Sequence, residues 1–267
     1  MLALITRTIN VKKLSLLIYI IISVALVWLF VVFFPSLQKQ GEEFSSLLES
    51  YPEPFLKAFG VEKNLLFSFE AFLAAENFSL MWPILLIVLA ITLGSSAIAG
   101  EIDQGTIEVL LSQPISRAKI YWAKYVSGFF IILIFIAASI FSVIPLARLH
   151  NVEIELQNYF MLFSLGTLFA LAIFSLTMMF SSIFSIKGRS ASLVAGILIF
   201  MYAINIVSQL RESVESLKYL SFLHYYDFSG ALVHNQIEPL TIWFFLGISL
   251  FCTLTGLIVF IKRDIST

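Results

Sequence analysis

Long apolar stretches separated by short charged segments run through the whole chain. Six stretches contain no Asp, Glu, Lys, Arg or His, and they cover residues 14–34, 78–99, 126–145, 159–185, 191–207 and 241–261. Each approaches or exceeds the roughly 17 to 25 residues that a helix needs to cross the hydrocarbon core of a bilayer. Because a lipid-exposed segment must satisfy its own backbone hydrogen bonds, we predict an all-α membrane protein with six transmembrane helices.

The composition agrees with a single membrane domain. The 267 residues are 60% hydrophobic and only 12% charged, and six helices leave no room for a separate globular domain of roughly 100 to 150 residues. We therefore treat 1–267 as one transmembrane domain. The net charge of −1 and the lack of a basic patch give no reason to expect a nucleic-acid partner. Cys252 is the only cysteine, which excludes an intrachain disulfide.

The distribution of basic residues predicts the orientation. If the N-terminus is cytoplasmic, the cytoplasmic segments hold 10 Lys and Arg residues in 50 positions, whereas the outer segments hold 6 in 89. Lysine and arginine are enriched on the cytoplasmic side of membrane proteins. We therefore expect both termini to be cytoplasmic.

The first outer segment, residues 35–77, has a pattern of its own. Helical spacing relates Phe44, Leu47, Leu48 and Tyr51, and Pro52 and Pro54 then interrupt it. A second apolar cluster, Phe69, Phe72 and Leu73, precedes the second predicted span. This amphipathic segment is typical of helices that lie on the outer membrane surface. A gate over a translocation path is the alternative, and the sequence leaves both open.

The cytoplasmic loop at 100–120 contains a two-faced helix. One face carries Ile107, Leu110 and Leu111, and the other carries Gln104, Glu108 and Ser112. Pro114 ends this helix and Ser116 can cap the next one. Such a helix suits the transfer of force from a cytoplasmic partner, but an interfacial helix resting on lipid would show the same pattern.

Two motifs resemble those of one transporter family. The residues from Glu101 to Arg117 follow the pattern E-x-x-x-G-T-x-E-x-L-L-S-x-P-x-S-R, which resembles the signature loop of ATP-binding-cassette type-2 (ABC-2) permeases. Phe260 to Asp264 resemble the closing F-x-x-R-D of that family. The six spans and the long first outer segment are also similar.

The resemblance implies a permease subunit of an exporter in a prokaryotic inner membrane. Its loop would be a coupling helix that docks on a P-loop ATPase subunit, and two permeases, identical or related, would line an export path through the lipid. The chain itself would bind no cofactor, since ATP and Mg would sit on the ATPase. The coupling or docking positions carried over are Glu101, Gly105, Thr106, Glu108, Leu111, Pro114 and Arg117.

We add two physical hypotheses for these positions. Gly105 would allow a close backbone approach near the start of the helix. Glu101 would pair with a basic residue such as Arg117, or with a residue of the partner.

Missing motifs separate the classes of function. The chain has no Gly-Lys pair and hence no P-loop, and it has no H-E-x-x-H, Cys-x-x-Cys or G-x-S-x-G. We therefore expect neither catalysis nor a metal site in this chain. An ion-coupled secondary transporter is one alternative, although none of the six runs holds an ionisable carboxylate or amine. A non-transporting membrane scaffold is the other. The sequence does not identify a substrate.

Overall fold

All regular structure in the described residues is helical. The computed structural model describes residues 2–48, 68–210 and 212–264. We number the α-helices α1 Leu2–Leu48, α2 Phe69–Leu73, α3 Trp82–Ala97, α4 Ala99–Asp103, α5 Ile107–Leu111, α6 Arg117–Phe141, α7 Val143–Leu149, α8 Leu156–Ile183, α9 Lys187–Leu210, α10 Phe222–Tyr225, α11 Phe228–Leu232 and α12 Pro239–Lys262. A π-helical segment, Ala74–Met81, joins α2 to α3, and a 3-10 helix covers Glu212–Leu220.

Six helical stretches of the described residues are long and apolar enough to cross a membrane. They are Leu4–Leu37, Phe69–Ala97, Arg117–Leu149, Leu156–Ile183, Lys187–Ser208 and Pro239–Lys262. The predicted all-α architecture with six spans is therefore confirmed. The first, third, fifth and sixth stretches extend beyond the uncharged runs to include Lys or Arg, whose charged groups can stay at the interface while their carbon stems lie along apolar surface.

Helix α8 lies at the centre of the bundle. It packs most extensively against α12, and it also contacts α3, α6 and α9, while α1 packs mainly along α6. In the most apolar part of the fourth span, 61% of the residues are buried. The corresponding share is 17% in the fifth span and 22% in the first. The fifth and first spans therefore form the periphery of the chain.

Glycine allows the central helices to approach closely. A Cβ atom at Gly128 of α6 would lie 2.6 Å from Cζ of Phe174 in α8, and one at Gly166 of α8 would lie 2.7 Å from Cη2 of Trp82. These contacts are shorter than any real Cβ atom tolerates. Helix association in membranes depends on such packing, because burying apolar surface out of lipid gives no hydrophobic driving force.

Hydrogen bonds between side chains join the same helices. The Trp82 indole donates a 2.8 Å hydrogen bond from Nε1 to Oγ of Ser139 in α6. The hydroxyl of Tyr125 bonds that of Ser175 at 2.6 Å and accepts from Thr253 of α12 at 3.1 Å. These buried hydroxyls and the indole thus find partners inside the bundle, as is usual for polar groups in an apolar medium.

The segment around 35–77 differs from the expected surface helices where the structure describes it. Helix α1 continues without a break to Leu48. The apolar cluster before the second span is part of that span, and Phe69 and Leu73 are buried. The ring of Phe69 meets that of Phe34 at 5.1 Å between centroids. These side chains pack on α1, because a partner helix buries them more completely than the membrane surface would. Residues 49–67, which include Tyr51, lie outside the described residues.

Candidate functional site

The loop between the second and third spans holds two short helices rather than one. Helix α4 ends at Asp103, and Gly105 adopts φ +69°. The Gly105 amide donates to the Ile102 carbonyl at 3.0 Å, and the Thr106 amide donates to the Glu101 carbonyl at 2.9 Å. This pair of bonds is a Schellman motif, in which a left-handed residue ends a helix. It separates α4 from α5.

Gly105 therefore serves a different purpose from the one we predicted. A Cβ atom at this position would meet nothing within 4 Å, so no other backbone of the described residues approaches it. The left-handed φ is what favours glycine here, because residues with a Cβ atom rarely adopt it. The described residues show no such close approach, and the conformational requirement is the reason for glycine that the structure provides; an approach by a partner stays a prediction.

Helix α5 has the two faces that the sequence predicted. Ile107 and Leu110 are 1% and 3% exposed and join the hydrophobic core, and Leu111 is half-buried. Glu108 is exposed on the opposite side, and the neighbouring Val109 is 61% exposed. The helix is thus anchored by one face while the other is presented outward.

Glu101 lies at the centre of the polar contacts of the loop. Its carboxylate forms an ion pair with Lys124 of α6 and accepts a hydrogen bond from the Thr106 hydroxyl. Burial raises the pKa of Glu101, but the hydrogen bonds from Lys124 and Thr106 and the Lys124 charge outweigh it, so the pKa lies below its ordinary value. The carboxylate is therefore ionised at neutral pH.

Arg117, which we suggested as a partner for Glu101, binds elsewhere. Its Nη1 donates to the carbonyl oxygens of Phe260 and Ile261, each at 3.4 Å, and to that of Arg263. These carbonyls end α12, where a cation is favoured by the helix dipole and by the unpaired backbone acceptors. Lys124 reaches Glu101 instead because it lies two turns further into α6, beside the start of α4.

Arg263 makes a second connection of the same kind. Its Nη1 donates to the carbonyls of Ser182 and Phe184 at 3.0 and 3.1 Å, and its Nη2 bonds the Ser185 hydroxyl. The guanidinium thus covers the end of α8. Phe260, in the same closing motif, is fully buried and packs on the ring of Tyr121. The C-terminal motif therefore holds the C-terminal end of α12 against α8 and α6.

Ser181 of α8 fixes the point where α3 gives way to α4. Its hydroxyl accepts hydrogen bonds from the amides of Ile98 and Ala99 at 3.2 and 2.9 Å. It also donates to the Ser95 carbonyl at 3.2 Å. The backbone at Ile98 leaves helical geometry, with φ −122°, so these amides have lost their helical partners.

The residues carried over from the motif lie in different surroundings. Glu101, Gly105 and Thr106 form the turn and its ion pair, whereas Glu108 and Pro114 are exposed. Leu111 is half-buried at the end of α5 and Arg117 lies against α12. Sequence reasoning missed the roles of Lys124 and Ser181. Lys124 was visible as the last basic residue before an uncharged run, but one serine among many gives no signal.

The family is decided by a match along almost the whole chain. Residues 11–264 match the family described as "ABC-2 family transporter protein". This chain belongs to the ABC-2 transporter family. A search of curated proteins found no match to this chain.

In this ABC-2 family transporter protein, Arg117 connects the end of the loop between the second and third spans to the C-terminal motif. Family membership identifies a multi-pass membrane protein and suggests the permease subunit of an ABC transporter. It also implies, in general, an ABC ATPase subunit as partner. The loop turn, its ion pair and the two arginine contacts all lie at one end of the bundle.

Proposed function

We propose that this ABC-2 family protein is the permease of an exporter that is driven by ATP hydrolysis in a separate ATPase subunit. The observation that carries the proposal is the anchored, two-faced α5, which presents Glu108 and Val109 outward from the loop. An exposed valine beside a carboxylate gives a partner both an apolar contact and a charge to recognise. We assign α5 as the coupling helix.

The contacts of the loop support transmission into the membrane. The turn before α5 is bound to α6 through Glu101 and Lys124, and α6 is bound to α12 through Arg117. Arg263 continues this chain of contacts to α8, the central helix. A push on α5 would therefore act on three spans at once. Energetic coupling between sites is carried by connected hydrogen bonds and packed elements of this kind.

A second permease, identical or related, would complete the transport path. The fifth span is the least buried of the six, and Gly188, Ser192 and Gly196 are exposed on it at intervals of four residues. Small residues with this spacing let membrane helices approach closely. Two permeases in contact would alternate between inward-open and outward-open arrangements, and closure of the ATPases would bias this equilibrium.

The orientation belongs to the same proposal. The loop end is cytoplasmic, both termini lie on that side, and the membrane is the plasma membrane of a prokaryotic cell. ATP and Mg bind to the ATPase and the chain catalyses no reaction, in accord with its lack of a Gly-Lys pair. Transport would then be a shift between conformations of the paired permeases.

The test compares two charge reversals in the loop. Glu101→Lys places a cation against Lys124, whereas Asp103→Lys changes the same charge at an exposed side chain nearby. Tagged wild-type and variant chains are purified gently, and their co-purifying proteins are identified by mass spectrometry. ATP hydrolysis and ATP-dependent accumulation of metabolites from a cell extract are then measured in inside-out vesicles.

We expect a P-loop ATPase with the wild type and with Asp103→Lys, and loss of ATP-dependent accumulation with Glu101→Lys. Val109→Glu, on the exposed face of α5, should reduce recovery of the ATPase itself. If the well-folded wild-type chain never co-purifies with an ATPase, the proposal is contradicted. Transport that continues without ATP would also contradict it. Accumulation driven by an ion gradient alone would identify a secondary transporter.

A further inference from the structure

A cavity lies beside the Glu101 ion pair at the loop end of the bundle. It has a volume of about 180 Å³ and is enclosed by the first turns of α1, the α3–α4 junction and α6. Its polar lining includes Arg7, Lys12, Lys124 and Glu101. We call it the basic cavity, after the three cations among these four residues.

The charges of the basic cavity do not balance. Its carboxylate, Glu101, is already engaged by Lys124 and by the Thr106 hydroxyl. Among the ion pairs of the described residues, none provides a carboxylate partner for Arg7 or Lys12. The positive charges of Lys187 and Lys124 also act on Lys12, and the single Glu101 carboxylate acts on both Lys12 and Arg7, so one negative charge faces several positive ones. Like charges held together in a partly enclosed space repel one another, and a bound anion would remove that repulsion.

An apolar surface leads away from the basic cavity along α1. Val11 lines the cavity and is 69% exposed, and Leu14, Ile18 and Ile21 follow on the same helical face with 68%, 49% and 57% exposure. The spacing of three, four and three residues keeps these side chains in one stripe. A ligand with a charged head and a long apolar tail fits both features, whereas a free anion would use only the first.

We propose that the basic cavity binds the phosphate headgroup of an anionic phospholipid, whose acyl chains lie along the exposed stripe of α1. The volume suits a phosphodiester group and is too small for a drug-sized ligand, for which pockets of about 300 to 1,000 Å³ are typical. Basic pockets between membrane helices are a known means of holding such headgroups. The site places lipid next to the ion pair of the coupling loop, since Glu101 and Lys124 line the cavity.

Charge-matched variants test the site. Arg7→Gln combined with Lys12→Gln removes two charges from the cavity, and Lys13→Gln combined with Arg189→Gln removes two exposed charges that do not line it. Each purified chain in neutral detergent is titrated with phosphatidylglycerol, phosphatidylcholine, glycerol phosphate or inorganic phosphate, and bound ligand is measured by native mass spectrometry. Arg7→Lys with Lys12→Arg preserves the charge as a further control.

We expect the wild type to prefer phosphatidylglycerol to phosphatidylcholine, and the cavity variant to bind phosphatidylglycerol about 30-fold more weakly, given the contribution of each basic residue near a lipid surface. The control variants should bind as the wild type does. Equal binding of the two lipids, or equal weakening by Lys13→Gln with Arg189→Gln, would overturn the proposal. Glycerol phosphate or inorganic phosphate bound as tightly as the lipid would assign the site to a soluble anion. Loss of the ATPase with unchanged lipid binding would assign the cavity to the partner protein.

A measurement on the wild type removes any dependence on how the variants fold. Phosphatidylglycerol with a photoreactive headgroup is bound to the unmodified chain and cross-linked, and the labelled peptides are identified by mass spectrometry. We expect labels on the first turns of α1 and on α6 near Lys124. Labels confined to other parts of the chain would refute the assignment, whatever the variants show.

Discussion

The ion pair between Lys124 and Glu101 gives a quantitative prediction. Replacing Lys124 with methionine keeps the length of the side chain but leaves the Glu101 carboxylate without its cation. The two side chains are 9% and 21% exposed, respectively. Removal of one partner from a fully buried pair costs about 3 to 5 kcal/mol, whereas a surface pair contributes about 0 to 1 kcal/mol. Since water still reaches part of Glu101, we expect a loss of about 2 to 3 kcal/mol.

A double-mutant cycle separates the pair from the loss of packing. The cycle contains Lys124→Met, Glu101→Gln and the double variant, and Lys119→Met on an exposed position of the same helix is the matched control. Unfolding midpoints are measured in detergent by the intrinsic fluorescence of the tryptophans. A change of 1 kcal/mol shifts the midpoint by about 2 to 4 °C for chains of this size class, so Lys124→Met should unfold about 4 to 12 °C earlier.

The double variant should be more stable than Lys124→Met alone, because neutral glutamine no longer buries an uncompensated charge. The coupling energy of the cycle should exceed about 1 kcal/mol, within the range for residues in contact. A coupling energy below about 0.5 kcal/mol would refute the reasoning, since the pair would then behave as two independent surface charges. The same result would also weaken the proposed transmission from the loop to α6.

Three further predictions use the same chain. Because the pKa of Glu101 lies below its ordinary value of 4.5, its ionised form stabilises the fold at neutral pH. This contribution is lost as the pH falls below about 4.5. The unfolding midpoint should therefore fall less between pH 7 and pH 3 for Glu101→Gln than for the wild type. Gly105→Ala should lower the free energy of unfolding by about 1 to 2 kcal/mol, because alanine disfavours the left-handed φ of this position. Gly105→Asn should lower it by less in the same thermal unfolding experiment. Equal losses for the two variants would contradict this reason. In a Cys252→Ala background, an impermeant maleimide should label Asn235→Cys on intact cells and Ser112→Cys only after permeabilisation, and the reverse pattern would invert the proposed orientation.

The sequence predicted the helical architecture because one physical rule governs both pattern and fold. An uncharged run of sufficient length can remain in lipid only as a helix, so the six spans followed directly. The faces of α5 were predictable for a similar reason, since Ile107 and Leu110 repeat at helical spacing. Ser116 does cap α6 as predicted, by accepting a hydrogen bond from the Lys119 amide.

Contacts between distant segments were not predictable from pattern. Nothing local indicates that Arg117 reaches carbonyls more than 140 residues away, or that Lys124 rather than Arg117 meets Glu101. The sequence left the segment with Phe69 open between a surface helix and a gate, because its spacing does not reveal that α1 supplies a neighbour. In each case the partner is chosen by three-dimensional packing. The docking roles of the loop residues remain predictions.

The two arginine contacts have a consequence for how the protein is made. Arg263 follows the six candidate spans of the described residues, so a ribosome synthesises it after the helices that it holds together. Until that moment the carbonyls of Ser182 and Phe184 lack the guanidinium that binds them in the finished chain. A nascent chain that stops before α12 is complete would leave the end of α8 uncovered. The contacts of Arg263 with the end of α8 can therefore form only once α12 has been synthesised.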